Sequence, residues 1–306
     1  MYAWVSMKLL AVVVNYRSSQ FLTSCLASLG EAGVERVSVV DNFSDERERE
    51  LVREAVAASD VPVTLSLLDS NAGFGPGVNR AVEALGAAPE DLIWIVNPDA
   101  EVSNEAARSL VAVFDDDRAD LVSPLILTGA RERPVVWFAG GEIQRRSGRT
   151  QHLHLAEDSA GLSGLHDVSF VTGAAPLIRA SAFAELGGFR EDLFLYWEDA
   201  DLSDRATALG LRLAVDLDAV VWHAVGGSGD SHGKSAVYYR YMQRNRMLVA
   251  SGWSSRWNLL LRGGAVETLK LLARPLKERR GRREKFAAGF GGLREGFRLA
   301  GSRRSS

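Results

Sequence analysis

The 306-residue chain has a single cysteine, Cys25, so no intrachain disulfide can form and the composition fits a reducing compartment. Cys25 falls among Leu22, Leu26 and Leu29 at helical spacing, which marks a buried structural thiol. No run approaches the roughly 18 apolar residues that a membrane-spanning helix requires. The N-terminus lacks a secretory pattern, because Lys8 follows the first apolar residues and Leu9–Val14 leads directly into Asn15-Tyr16. These absences predict a cytoplasmic protein. Internal repeats are absent too, and no Gly-Lys-Ser/Thr follows the glycine-rich loop at Asn71–Gly77, so that loop is not a P-loop.

What is present is an ordinary globular composition, 46% hydrophobic and 25% charged, ample for a core in one large domain or two modest ones. Charge is unevenly placed. From Arg262 onward there are 13 Lys and Arg against 4 Asp and Glu, a local excess of +9 that leaves −12 on the body. Phe286, Phe290, Leu293 and Phe297 recur at helical spacing among Arg282, Arg283, Lys285, Arg294 and Arg298. This is the pattern of a basic amphipathic helix at an anionic membrane surface. Gly289, Gly291 and Gly292 weaken its intrinsic helicity, so it orders on contact. Docking on the body or on a second subunit, or a merely solvated basic helix, are the alternatives.

The first hundred residues alternate strand and helix. Leu9–Val14, Val37–Val40, Val63–Leu68 and Leu92–Val96 read as strands, with helices at Phe21–Leu29, Glu46–Ala57 and Pro76–Leu85 between them. Pro76 stands at the first helical position of the third helix and Gly86 just past its end. Such alternation predicts right-handed crossovers and a mostly parallel, Rossmann-like sheet flanked by helices. Beyond an N-cap at Ser103 lie a helix to about Phe114, a short strand near Leu121, and a hairpin or excursion from Trp137 to about His154. Then follow a strand at Val168–Val171, a helix at Ser181–Leu186, a helix through Leu202, Ala206 and Leu209, and short strands at Leu213–Val215 and Ala219–Trp222. After about Tyr238 the pattern is wholly helical.

Two acidic clusters carry the chemistry. The apolar run Leu92–Val96 stops at Asn97-Pro98-Asp99, which puts a carboxylate at the C-terminal tip of a buried strand, the edge where open α/β sheets bind ligands. Glu198-Asp199-Ala200-Asp201 places three more carboxylates at a helix start. One cluster suits a metal and the other a proton, a division of labour that fits an enzyme acting on a phosphorylated donor.

Eight segments from about Leu9 to Ser228 occur in an order that resembles the inverting family 2 glycosyltransferases, with their A-type nucleotide-sugar (GT-A) fold, in the rhamnosyltransferase-like branch. They are Val12-Val13-Val14-Asn15-Tyr16, Val40-Asp41-Asn42-Phe43-Ser44, Asn71-Ala72-Gly73-Phe74 through Gly77 and Asn79, Asn97-Pro98-Asp99, Gly173-Ala174, Gly187-Gly188-Phe189, Tyr196–Asp201, and His223. The resemblance implies a catalytic domain over residues 7–235, with a nucleotide-sugar half at 7–102 and an acceptor half at 103–235. A basic helical extension would occupy 236–306. It implies Asp99 as ligand to Mg²⁺ or Mn²⁺, in a form of the Asp-x-Asp motif whose first Asp is Asn97, with help from Glu101 and from His223. It implies Asp199 as catalytic base, with Glu198 and Asp201 orienting it or binding acceptor hydroxyls. Donor contacts are implied at Asn15, Asp41, Asn71, Gly73, Phe74, Asn79, Asn97 and Arg244. Val78 departs from the family, where a polar residue is common, which shifts the donor contact to Asn79.

The implied donor is a dTDP- or UDP-sugar, dTDP-rhamnose for this branch, and the acceptor a glycan or lipid-linked sugar of the cell envelope; no nucleic-acid partner is implied. Pocket walls from Arg131–Asp167 would set specificity, and Trp137, Tyr196 and Trp197 can stack on sugars or serve the core. Simpler roles stay open for several residues: capping with Ser44 for Asp41, plain turn chemistry for the glycine-rich loop, helix capping for the acidic cluster, and a structural imidazole for His223. Two other functions compete. A sugar-phosphate nucleotidyltransferase would need a glycine-rich, Arg-containing loop after the first strand, where Asn15-Tyr16-Arg17-Ser18 stands instead. A non-catalytic scaffold would not need both Asp99 and Asp199. The enzyme reading requires those two carboxylates to converge on one cleft.

Overall fold

The computed structural model describes residues 7–224 and 234–302. Its first half runs β1 (Leu9–Asn15), α1 (Ser19–Glu31), β2 (Arg36–Asp41), α2 (Glu46–Ala57), β3 (Val63–Leu67), α3 (Phe74–Leu85), β4 (Leu92–Ile95), β5 (Ala100–Glu101) and α4 (Asn104–Asp115). Next come β6 (Leu121–Ala130), β7 (Arg133–Phe138), β8 (Gly141–Gln144), β9 (Arg149–His152), β10 (Leu165–Asp167), β11 (Leu177–Arg179), α5 (Ala180–Glu185), α6 (Glu198–Ala208) and β12 (Leu213–His223). The C-terminal part is helical: α7 (Ala236–Ala250), α8 (Arg256–Leu261), α9 (Ala265–Ala273), a 3₁₀ turn (Arg274–Lys277) and α10 (Arg282–Ser302).

The main sheet has the order β10-β12-β6-β11-β4-β1-β2-β3, with β5 on β12 and β7 on β6. Strands β4, β1, β2 and β3 are parallel neighbours, as are β6 and β12. Leu10–Val13 are fully buried because helices cover both faces, which explains a continuous apolar run in place of alternation. Short β11 enters antiparallel between β4 and β6. That insertion delivers the chain just before it, Gly173-Ala174, to the end of β4. The α/β architecture expected from the sequence is therefore present, with its parallel sheet centre, flanking helices and helical C-terminal part.

Local signals explain most boundaries. Asp45 and Ser103 cap α2 and α4, each side chain accepting from a backbone N–H three residues on. Gly86 closes α3 in the left-handed region at φ +56°. Cys25 is buried, as its spacing predicts, and its thiol donates to the carbonyl of Asn97 at 3.6 Å. Burial, aided by Asp99 and Glu101, pushes that thiol pKa far up, so it is inert.

Three expectations need correction. Val168–Val171 is not a strand; it contributes one isolated bridge, Gly141 to Phe170, beneath the β8–β9 hairpin. The strand near Leu121 is ten residues long, because β12 and β7 pair on either side of it. The two short strands after Leu213 are one strand with a bulge between Asp216 and Val220. There Asp216 accepts from Ser109 Oγ at 2.6 Å and from its neighbour Asp218 N at 3.1 Å, which diverts the ladder.

No helix among the described residues is long and apolar enough to cross a membrane. The C-terminal amphipathic helix is present as α10, and three of its glycines, Gly289, Gly292 and Gly296, form its contact face with α7, whereas Gly291 is exposed. A Cβ at Gly292 would lie 2.0 Å from the Arg240 carbonyl oxygen, and one at Gly296 2.4 Å from that of Arg244. Leu293 is buried against Met247, Ala250 and Leu259, whereas Phe286 and Phe290 face outward. Half of the apolar stripe thus docks on the body. Gly292→Ala tests this packing, because helix propensity alone favours Ala by about 1 kcal/mol whereas overpacking against backbone costs about 1–3 kcal/mol. Steric conflict should win and lower the thermal midpoint by several degrees; a raised midpoint would mean that α10 does not sit so close to α7.

Candidate active site

The parallel half of the sheet ends in a network of buried polar side chains. Asn15 at the tip of β1 donates to Asp41 Oδ1 at the tip of β2 (2.9 Å), and both are fully buried. The other Asp41 oxygen accepts from Ser44 N at 3.0 Å and faces Arg49 Nε at 3.4 Å. Asn42 clamps the glycine-rich loop, donating to the Gly73 carbonyl (2.8 Å) and accepting from Ala72 N (3.1 Å). Asn71 accepts from Gly73 N at 3.0 Å, a turn-forming bond.

The loop glycines admit protein rather than ligand. Gly73, at φ +103°, meets the Phe194 carbonyl, whose oxygen also accepts from Phe74 N at 3.0 Å. Gly75 abuts Phe189, and Gly77 abuts Val14. Asn79, expected at the donor, instead binds both backbone groups of Phe189: its Nδ2 donates to O and its Oδ1 accepts from N, each at 2.8 Å. The Phe74 ring packs edge-on to Phe189 and beside Gly173. The loop is therefore a joint between the two halves of the fold.

At the end of β4, Asp99 Oδ1 lies 3.0 Å from His223 Nε2, and Asn97 Nδ2 lies 3.4 Å from the same nitrogen. Pairing of β5 with Trp222 and His223 of β12 brings these residues together across 124 positions. His223 is buried, its Nδ1 has no hydrogen-bond partner, and Trp137 packs edge-on against its ring at 4.8 Å. A carboxylate oxygen beside an imidazole nitrogen is a mixed donor set that suits Mn²⁺ and, less well, the oxygen-preferring Mg²⁺. No cluster of three or more such ligands occurs among the described residues, so phosphate oxygens would have to complete the shell of any cation here. Glu101, expected to assist, forms an ion pair with Arg131. Gly226, Gly227 and Gly229, which follow His223, lie outside the described residues.

The second acidic cluster opens α6. Tyr196 and Trp197, two consecutive non-glycine residues at φ +67° and +74°, turn the chain sharply before Glu198. Such conformations are strained and persist only where the surroundings enforce them. Asn245 supplies that force: buried on α7, it donates to the carbonyls of Leu195 (3.0 Å) and Tyr196 (2.9 Å). Asp199 Oδ1 accepts from Ala200 N at 2.8 Å, and Oδ2 faces Gly173 N at 3.4 Å. One residue on, the Ala174 carbonyl accepts from Asn97 N at 2.8 Å. The segment Gly173-Ala174 is thus bonded on one side to the Asp99 strand end and on the other to Asp199.

Burial raises the pKa of Asp199, opposed by the N–H of Ala200, by His152 and by the N–H of Gly173. It raises that of Glu198 well above the usual range, with Asp199 adding repulsion, and one Glu198 oxygen has no hydrogen-bond partner. The pair retains protons that the unfolded chain would release.

Two expected residues lie elsewhere. Asp201 is two positions along a helix from Asp199 and so points away from it. It forms a buried ion cluster with Arg190 and Arg205, each at 2.7 Å, which ties α6 to the Gly187-Gly188-Phe189 turn. Arg244 is held by Glu295 of α10 (2.8 Å) and donates to the Asp192 carbonyl, so it braces α7 against α10 instead of facing phosphate. Sequence reading also missed His152. Its ring lies edge-on to Trp137 at 5.1 Å, and its Nδ1 is 3.0 Å from the Trp137 carbonyl. No local pattern marks a histidine in a hairpin as a neighbour of Asp199; only the tertiary fold does so.

The mixed sheet with β11 inserted between β4 and β6, flanked by helices, has the GT-A architecture of glycosyltransferases. Residues 7–247 match the family model described as "Glycosyltransferase like family 2", and the chain belongs to that family. It is 28% identical to the N-acetylglucosaminyl-diphospho-decaprenol L-rhamnosyltransferase of Mycobacterium tuberculosis over 305 residues, 90% of this chain and 95% of that protein. It is 25% identical to the low-salt glycan biosynthesis hexosyltransferase Agl10 of Haloferax volcanii over 202 residues, 64% of this chain and 60% of that one. Among solved structures, GalNAc-T7 with UDP, GalNAc and Mn²⁺ superposes with a TM-score of 0.62 at 14% identity, covering 99% of this chain and 57% of that one. TarS 1-349 of S. aureus in complex with UDP-GlcNAc superposes at 0.54 with 16% identity, covering 98% and 93%.

Linkage gives the sign of a pH effect. A carboxyl whose folded pKa is raised adds stability below its unfolded value, near 4, and that contribution is lost as pH rises through the folded value. Glu198→Gln removes one such group. The fall in melting temperature between pH 5 and pH 8 should therefore be smaller in the variant than in the parent, by differential scanning calorimetry. An equal or steeper fall would show that Glu198 is ionised in the native protein across this range.

Proposed function

We propose that the protein is a metal-dependent inverting glycosyltransferase that moves a sugar from a nucleotide-sugar donor to a lipid-linked acceptor in cell-envelope polysaccharide synthesis. The observation that carries this reading is the Gly173-Ala174 segment, bonded to both Asn97 and Asp199, which puts the two acidic centres on either side of one stretch of backbone. We assign Asp99 and His223, with Asn97 beside them, to the cation, Mn²⁺ or Mg²⁺. When bound, such a cation neutralises the diphosphate leaving group as a Lewis acid. Asn15, Asp41 and the loop from Asn71 to Phe74 frame the nucleotide end, where Phe43 stands half exposed under the Arg49 guanidinium.

In this reading Asp199 takes the proton from the acceptor hydroxyl as its oxygen attacks the anomeric carbon. The bond from that carbon to the diphosphate breaks on the opposite face, which inverts the configuration. A raised pKa makes the ionised Asp199 a stronger base, while the N–H groups of Ala200 and Gly173 stabilise that ionised form. Glu198 sits behind it as a buried partner, and Trp137 lines the space beside His223. The M. tuberculosis relative, by its name, supports L-rhamnose as the sugar and a diphospho-lipid sugar as the acceptor; dTDP as the carrier is part of the proposal. We also propose residues 7–235 as the catalytic unit and 236–306 as an extension that braces it through Asn245, acting at the cytoplasmic face of a membrane.

Asp199→Asn should lower turnover by about 10²–10⁴-fold with donor affinity retained. Asp99→Ala should abolish the effect of Mn²⁺ on donor binding in calorimetric titration with dTDP-rhamnose and UDP-sugars. Near-parental turnover in the first variant, or metal-independent donor binding by the parent protein, would refute the assignment.

A further inference from the structure

The C-terminal extension contains a cavity and a surface that the transfer chemistry does not use. The cavity, of about 390 Å³, is lined by Lys234, Tyr238, Tyr239, Arg274, Lys277 and Glu278. Its one carboxylate is already engaged, since Glu278 accepts from Tyr239 Oη at 2.6 Å and from Lys234 N at 3.1 Å and lies 3.4 Å from Lys285 Nζ. Lys234 lies over the Tyr238 ring, and Arg274 donates to the Tyr238 hydroxyl at 3.3 Å. None of Lys234, Arg274 and Lys277 forms an ion pair among the described residues. Three cations and two phenols thus line a space whose one lining carboxylate, Glu278, is already bonded to Tyr239 and to the Lys234 N–H, which leaves positive charge in excess.

The lip of this cavity continues into an apolar face. On α9 and the turn after it, Val266, Leu269 and Leu276 are each more than half exposed, and Ala273 lies between them at helical spacing. Trp257 and Leu261 of α8 are exposed as well. Within residues 256–285 there are ten Lys and Arg against three Asp and Glu. A second copy of so basic a face would be repelled, whereas an anionic head with an apolar tail matches both of its features.

On its other side the cavity reaches the catalytic motif. The Tyr238 ring packs edge-on against Tyr196 at 5.1 Å, and Tyr196 immediately precedes Trp197 and the acidic pair. Burial first, then Tyr238 and Glu198, push the Tyr196 phenol up to about 12, so it stays a neutral donor. Tail, charge and sugar can therefore lie in sequence along one surface, from α9 through the cavity to Asp199.

We propose that this cavity is the subsite for the diphosphate of an isoprenoid-linked acceptor, with the exposed face of α9 carrying the adjoining lipid. The proposal rests on the glycosyltransferase reading and assigns its acceptor to named residues. Arg274 and Lys277 bind the diphosphate, Lys234 closes over it, and Leu269 and Leu276 meet the first isoprene units.

The test is direct binding of farnesyl diphosphate to the full chain by calorimetry, in EDTA so that no cation holds a diphosphate at Asp99. Farnesol and inorganic pyrophosphate are the comparison ligands. The parent should bind farnesyl diphosphate more tightly than either, and both Arg274→Gln/Lys277→Gln and Leu269→Ser/Leu276→Ser should weaken it about tenfold or more. Arg280→Gln/Arg283→Gln, equal in lost charge but outside the cavity, should bind as the parent does. Pyrophosphate binding as tightly as farnesyl diphosphate would overturn the proposal in favour of a simple anion site. Equal weakening by the Arg280/Arg283 pair would overturn it in favour of diffuse attraction, as would tight binding to phosphatidylglycerol vesicles without competition by farnesyl diphosphate. Failure of the glycosyltransferase reading is distinguishable, because it would appear as no metal-dependent hydrolysis of any nucleotide sugar by the parent protein.

Discussion

The candidate site depends on one short piece of backbone. Gly173 and Ala174 contribute one N–H toward Asp199 and one C=O to Asn97, and these bonds hold the start of α6 against the end of β4. The segment can lie there because β11 runs antiparallel between β4 and β6 and so begins at the ligand edge of the sheet. Glycine fits closely at position 173: an added Cβ would fall 3.0 Å from the Phe74 ring and 3.9 Å from Asp199 Cβ, so a side chain there would press on both. Nucleotide loop, metal-type carboxylate and candidate base are thus spaced by main chain, which has little freedom to drift.

A second constraint is the burial of like charges. Glu198 and Asp199 are adjacent carboxyls removed from water, a costly arrangement unless protons are retained or donors supplied. The protein supplies few donors, chiefly the N–H groups of Ala200 and Gly173, and so the pair titrates high. The backbone before it is strained at Tyr196 and Trp197, and Asn245 holds that strain in place from α7. Since α7 is itself clasped by α10 through Gly292 and Gly296, the basic C-terminal extension bears on the geometry of the acidic pair at the start of α6.

Motif residues divide accordingly into those at the candidate site and those that assemble it. Asn79 and Asp201 belong to resemblance-bearing segments and Arg244 was an implied donor contact, yet each is engaged by protein partners: Phe189 backbone, two arginines, and Glu295. A spacing that marks a family preserves both kinds of residue, and a linear pattern cannot separate them. The hydrogen-bond partner of each side chain does so at once.

The alternating architecture of the first hundred residues, the caps at Ser103 and Gly86, the buried Cys25 and the strand end at Asp99 were legible in the linear chain, because they follow from local periodicity and capping chemistry. The sequence also carried the family, through eight motifs in order, and the family model over residues 7–247 agrees. Tertiary structure alone decided that β6 is long, that Val168–Val171 is not a strand, that α10 docks by its glycines, and that His152 joins the Asp199 neighbourhood. Those outcomes rest on partners distant in sequence, up to Leu127 and Trp222 in the β6–β12 pairing, and the energy of a contact depends on distance in space, which a one-dimensional pattern does not contain.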